Sequence, residues 1–307
     1  MSQKVPHREE KRIKVNGVEI AFDEFGDLAG IPLFLIMGFS MQMIAWHEDF
    51  CTKLAGHGFR VIRFDNRDIG HSTWLTEYGV PNIGQIMKEL AEGKKPSAPY
   101  LLRDMARDVV GLMDGLGIES AHVMGMSMGG MIAQTMALEY GERLQSLISL
   151  SSSPGTQDPT LPPATPEAAS VLITPLPQDR EGFINASIKA WKVIGGPYLP
   201  MPDEMLAERA RKFYERGLHL PGLARQLAAI LASGSRREAL RNVKIPALVI
   251  HGDKDPLIPP PHAVATAEAI PGAKLKMIAG MGHEVPPAAW DEIIGVVSDF
   301  VQEVKAK

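Results

Sequence analysis

Across the first half of the chain, short apolar runs alternate with longer amphipathic ones. "PLFLIM", "FRVIRFD" and "AHVMGM" are continuous enough to be strands buried on both faces, and "LQSLISLSS" reads as the next one. Between them, the stretches near Trp46 to Ala55 and Leu101 to Leu116 are helical. That alternation predicts an α/β fold around a mostly parallel sheet flanked by helices. Ahead of it, "RIKVNGVEIAFDEFG" predicts a hairpin, with Asn16-Gly17 as its two-residue turn.

From Ser153 the pattern breaks. "SPGTQDPTLPPATPEAAS" carries five prolines and cannot continue a strand-helix alternation. Helical stretches follow it without strands between them, at Gly182 to Val193, Asp203 to Arg216 and Leu223 to Ser233. The alternation resumes at "PALVIHGD" and "AKLKMIAG" and closes on the amphipathic "AWDEIIGVVSDFVQEV". This order predicts one α/β core, residues 1–153 and 238–307, interrupted by a helical cap at 154–237, rather than two domains in series.

Composition narrows the partner. With 32 Lys and Arg against 36 Asp and Glu, and no long run of either sign, the chain lacks the basic footprint of a nucleic-acid binder. A neutral or weakly polar small molecule is the expected partner. Cys51 is the single cysteine, so an intramolecular disulfide is impossible and zinc sites built from several cysteines are excluded. The N-terminus is charged without an apolar h-region, and the apolar run "IPLFLIMG" is far short of the roughly 20 residues of a membrane span. The expectation is a soluble, cytoplasmic protein without membrane insertion.

The candidate chemistry starts at "GMSMGG". Gly125-Met126-Ser127-Met128-Gly129 fits G-x-S-x-G, between a predicted strand and a predicted helix, the context this motif requires. There the glycines would avoid clashes and leave the serine hydroxyl exposed above the sheet edge. A serine is a poor nucleophile without a base, usually a histidine oriented by a carboxylate. Of nine histidines, His283 in "AGMGHEVPP" stands on a glycine-rich loop just after the last predicted strand, where parallel strands bring their C-terminal ends together. His7, His57, His122 and His219 fall in a tail, a turn, a strand and the cap. For the acid, "LVIHGDKDPLIPP" offers Asp253, directly after its strand, and Asp255, further out before Pro256. Asp255 is the better placed to reach a histidine, and Asp253 to hold the turn. The order Ser127, Asp255, His283 is the chain order of an α/β-hydrolase triad.

Along nearly its whole length the chain resembles the α/β-hydrolase superfamily, through "LIMGFS", "FDNRDIGHS", "GMSMGG", "HGDKDPLIP" and "GMGHEVP". "RNVKIPALVIHGDKDPLIPP" and "IPGAKLKMIAGMGHEVP" are similar to the small cofactor-free esterases of the aclacinomycin methylesterase type. The resemblance implies an α/β-hydrolase fold with an inserted cap, and an oxyanion hole made by the backbone N-H groups of Phe39 and Met128. Many relatives carry His-Gly where this chain has Met37-Gly38. Because the donors are backbone amides, that swap alters loop support more than oxyanion binding.

Asp65 and Arg67 in "FDNRDIGHS" read as a buried ion pair fixing a loop, with structural roles likewise for His71 and His251. Gly38, Met126, Trp191, Met201 and Met205 are candidates for an apolar substrate pocket between the core and the cap. "HEVPP" lacks the second histidine of H-E-x-x-H, "GDKDPLIPP" lacks calcium-loop spacing, and neither G-x-G-x-x-G after a strand nor G-K-[ST] occurs. No cofactor and no metal are expected. The expected function is hydrolysis of small to medium hydrophobic carboxylic esters through an acyl-enzyme. Three other readings use the same residues: a cofactor-free perhydrolase of the haloperoxidase type, a carbon-carbon bond hydrolase, and a ligand-binding receptor that keeps the triad. The carbon-carbon hydrolases commonly have tryptophan after the histidine, where this chain has Glu284.

Overall fold

The computed structural model describes residues 5–156 and 158–306. Eight strands form one sheet in the order β1-β2-β4-β3-β5-β6-β7-β8. They are β1 (His7–Val15), β2 (Val18–Phe25), β3 (Ile31–Ile36), β4 (Phe59–Phe64), β5 (Ala121–Met126), β6 (Leu144–Leu150), β7 (Ala247–Gly252) and β8 (Lys274–Ile278). β1 and β2 form the antiparallel hairpin read from the sequence. Asn16 and Gly17, at φ 47° and 79°, both take the left-handed conformation that its tight turn requires. β2 also runs antiparallel to β4, and every pairing from β4 through β8 is parallel.

Parallel strands need crossovers, and helices supply them on both faces. α1 (Glu48–Gly56), α3 (Leu102–Gly115), α4 (Met128–Glu139) and α10 (Pro287–Lys305) match the amphipathic stretches or the elbow helix. Their apolar faces fill two cores, one on each side of the sheet. Ile20, Phe34, Met105, Val109 and Ile132 belong to one, and Leu35, Trp46, Phe50, Ile250 and Ile293 to the other. Cys51 sits in the second core, where burial pushes its thiol up to about 12 and leaves it unreactive.

Two core helices are absent from the sequence reading, α2 (Ile83–Ala91) and α9 (Pro261–Ala269). α9 follows three prolines and is nearly all small residues, so it lacks an apolar period. The need to cross from β7 to a parallel β8 is the signal that would have found it.

Between β6 and β7 lie α5 (Pro166–Ile173), α6 (Arg180–Gly195), α7 (Asp203–Glu215) and α8 (Leu220–Ser233). α5 begins inside the proline-rich stretch because Thr165 caps it and Pro166 occupies its first turn, where a missing N-H costs nothing. The two ends of this insertion meet: Gly155 bridges Ser235, and the Arg236 N-H donates to the Pro154 carbonyl at 2.7 Å.

Two arginines tie the insertion to the loop after β4. Arg216 donates to Asp65 at 2.5 Å, and Arg225 grips Asp68 with two hydrogen bonds of 2.8 and 2.7 Å. The expected Asp65-Arg67 pair therefore does not form. Arg67 turns instead to Asp108 of α3, with two bonds of 2.7 Å. Both residues are buried and paired, but with partners 151 and 41 positions away, which adjacency in sequence cannot reveal.

Candidate active site

Ser127 links β5 to α4 at φ 56° and ψ −121°, a left-handed conformation that costs energy for any residue with a side chain. Packing holds it there. A Cβ on Gly125 would stand 2.1 Å from the Gly129 carbonyl oxygen, and one on Gly129 would stand 2.1 Å from that of Ile36. Neither glycine has a positive φ, so close approach of α4 to β3 and β5 is what demands them. The Ser127 N-H donates to Leu150 O at 2.9 Å, and its carbonyl accepts from Ser152 Oγ at 2.7 Å.

The loop after β8 brings His283 to this corner, with Nε2 3.0 Å from Ser127 Oγ. Its Nδ1 lies 2.7 Å from Asp255 Oδ2, and both side chains are buried. Asp255 Oδ1 accepts from the N-H groups of Leu257 and Ile258 at 2.9 and 2.8 Å. Those bonds fix the carboxylate, so Nδ1 carries the imidazole proton and Nε2 is free to accept from the serine. Asp253 holds the turn, accepting from Gly280 N-H at 2.7 Å.

His251 lies 3.4 Å from the same Asp255 oxygen and sits 2.7 Å from the Ile258 carbonyl. Burial holds its pKa below the ordinary histidine value, so no second cation competes for Asp255.

The resemblance also points to the backbone amides of Phe39 and Met128, and both residues line one cavity together with Ser127. Met128 opens α4, where first-turn N-H groups lack intrahelical partners. Neither amide has an acceptor among the described residues. The loop carrying Phe39 is braced from three sides. Asn66 donates to the Met37 carbonyl at 2.9 Å, Met43 N-H donates to Asp65 at 2.7 Å, and Ser40 N-H donates to Gln226 of α8 at 3.1 Å. Gln226 gives no motif signal; only the fold reveals its place.

The histidine loop is braced by the insertion as well. His283 N-H donates to the Ile194 carbonyl at 2.8 Å, and a Cβ on Gly282 would stand 2.1 Å from Gly195 O. The C-terminal end of α6 thus presses on the loop that presents the imidazole.

Two cavities reach Ser127. Met126, Gly38, Trp191, Ile194, Phe213 and His283 line one, of about 120 Å³. The other, of about 400 Å³, is bounded by Met128, Met131, Pro162, Leu227, Ile230 and Leu231. Met201 and Met205 line neither. They face a separate cavity beside His47, Glu48 and Arg63, Met205 from α7 and Met201 from the segment just before it. Trp191 also stacks under the Arg209 guanidinium, 4.4 Å from its ring centre, while Arg209 pairs with Glu284. Among the described residues, no group of three or more His, Cys, Asp or Glu side chains could hold a metal ion, and no helix is long and apolar enough to cross a membrane.

A serine hydroxyl bonded to an imidazole, an imidazole bonded to a fixed carboxylate, and two unengaged amides on residues beside the serine are groups of the kind that can carry out acyl transfer. Comparison with known proteins shows the family of the chain. Residues 31–287 match the family model described as alpha/beta hydrolase fold. Rhodomycin D methylesterase of Streptomyces peucetius is 30% identical over 89% of this chain and 91% of that protein. A 2-hydroxy-6-oxo-6-phenylhexa-2,4-dienoate hydrolase of Comamonas testosteroni is 29% identical, over 81% of this chain and 90% of its own. Among solved structures, the enol-lactonase of Burkholderia xenovorans LB400 superposes with a TM-score of 0.70 at 23% identity, covering 95% of this chain and all of that one, a likeness of fold.

Proposed function

The chain belongs to the alpha/beta-hydrolase family and is a hydrolase of the carboxylic-ester type, and from that premise we propose that it cleaves hydrophobic esters with Ser127 as nucleophile. The observation that carries this reading is the continuous hydrogen-bonded chain Ser127, His283, Asp255.

Ser127 Oγ attacks the ester carbonyl carbon while His283 Nε2 takes its proton. The carbonyl oxygen gains negative charge and is held by the Phe39 and Met128 N-H groups, aided by the positive end of α4. Asp255 stabilises the imidazolium and keeps its tautomer. His283 then returns the proton to the departing alkoxide as the carbon-oxygen bond breaks, leaving an acyl-serine. Water, deprotonated by His283, attacks that acyl group, and the acid leaves as Ser127 is regenerated.

The apolar linings of both cavities support a hydrophobic substrate, and the relative named as a methylesterase supports an ester rather than an amide. Purified Ser127→Ala, assayed on p-nitrophenyl acetate and a panel of methyl esters, should lose turnover while its unfolding transition stays near that of the parent. Turnover close to the parent's would refute the assignment.

A further inference from the structure

The two cavities beside Ser127 are not equivalent, and their difference gives the substrate a direction. They share Phe39, Ser127, Leu172 and Leu257, which form a waist around the nucleophile. His283 lines the cavity under α6 and α7 and is absent from the lining of the other. Met128, which carries one of the oxyanion amides, lines the cavity under α8 and the proline-rich stretch.

We infer that the acyl half of the substrate lies in the cavity lined by Met131, Leu227, Ile230 and Leu231, and that the alcohol half leaves through the cavity lined by His283, Trp191 and Phe213. This rests on the ester-hydrolase reading above. In the tetrahedral intermediate the carbonyl carbon carries four groups: Ser127 Oγ, the oxyanion, the leaving oxygen and the acyl chain. The oxyanion points at the Phe39 and Met128 amides. The leaving oxygen must accept the proton held by His283 Nε2 as its bond to carbon breaks, so it lies on the side of the cavity that His283 lines. The acyl chain is left with the remaining direction, through the waist and under α8. That cavity, about 400 Å³ and lined mainly by aliphatic side chains, falls in the range of small-molecule sites, so it suits a bulky apolar acyl group. Leu172 of α5 and Leu257 flank the crossing point, which makes them the residues against which the ester bond is held.

Filling each cavity separately tests the direction. Leu231→Trp narrows the acyl side and Ala190→Phe the alcohol side; neither touches the catalytic groups. Two ester series are compared: p-nitrophenyl esters from acetyl to octanoyl, and acetates of methanol, benzyl alcohol and naphthol. Leu231→Trp should lower kcat/KM about tenfold or more on octanoyl esters and spare the acetates, since a misfit in an apolar pocket is worth that much. Ala190→Phe should lower kcat/KM on the benzyl and naphthyl acetates, spare methyl acetate, and affect the p-nitrophenyl series to the same extent at every acyl length. Deacylation discriminates further. Esters of one acid share one acyl-serine, so its hydrolysis, followed after the burst, should slow in Leu231→Trp with octanoyl and be unchanged in Ala190→Phe.

The reverse pattern, or equal effects of both variants on both series, would overturn the assignment. Should either variant unfold, Ile230→Phe and Ser187→Leu fill the same two spaces. A parent protein without Ser127-dependent turnover on any ester of either series would instead remove the ester-hydrolase reading, and the two failures are distinguishable on the parent alone.

Discussion

The N-H of Ser40, next to the Phe39 amide proposed to bind the oxyanion, donates to Oε1 of Gln226 across 186 residues of chain, at 3.1 Å. Through its other end Gln226 donates to the Arg67 carbonyl at 2.9 Å, so one buried side chain of α8 clamps the loop carrying Phe39 to the loop after β4. Gln226→Ala should therefore lower kcat about tenfold and change KM less, because a loosened donor hurts the charged intermediate more than the neutral ester. Steady-state kinetics on a single ester check the split; a raised KM with kcat unchanged would mean that Gln226 merely supports binding.

Asp255→Asn should cost about 10³-fold to 10⁴-fold in kcat while the protein stays folded. Its amide oxygen can still accept from Leu257 and Ile258, but its NH2 then faces His283 Nδ1 and selects the tautomer that cannot accept from Ser127. Single-turnover acylation with a p-nitrophenyl ester measures the loss directly.

The cap contact made by Arg225 should be worth more to remove than to replace. Its guanidinium and the Asp68 carboxylate are both fully buried, so Arg225→Leu strands a charge and should destabilise by about 3–5 kcal/mol in denaturant unfolding. Adding Asp68→Asn removes that charge yet keeps polar atoms for Leu75 N-H and Tyr100 Oη, so the double variant should recover part of the loss. No recovery would show that packing rather than charge dominates.

Acid should weaken the fold through His122. Its ring is buried beside Ser146, and burial, with a smaller effect from Lys305, pushes its pKa down to about 4. The unfolded chain takes up the proton first, near 6.5, so this contribution is intact above that pH. It is lost as pH falls from there toward about 4, at no more than about 1.4 kcal/mol per unit. Unfolding of His122→Gln, measured across that window, should show a shallower decline than the parent, and parallel curves would contradict it.

Much of this was legible in the order of residues. The strand runs, the Asn16-Gly17 turn and the elbow pentapeptide are local patterns, set by side-chain period and by which residues tolerate tight backbone. The expected contacts of the two aspartates also appear: Asp255, further along the loop, meets His283, and Asp253 holds the turn. α9 escaped because its small residues leave no apolar period, and Met201 and Met205 were misplaced because the packing of α7 and of the segment before it, rather than composition, decides which cavity they line.

The sequence by itself determined the α/β class, the chain order of Ser127, Asp255 and His283, and the point at which helices interrupt the sheet. Tertiary structure alone decided what braces them: Gln226 on the oxyanion loop, the end of α6 on the His283 loop, and the exchange by which Asp65 takes Arg216 while Arg67 takes Asp108. Those contacts join residues tens to nearly two hundred positions apart. Buried charges and amides must find partners wherever the folded layers bring them, and no local periodicity encodes that choice.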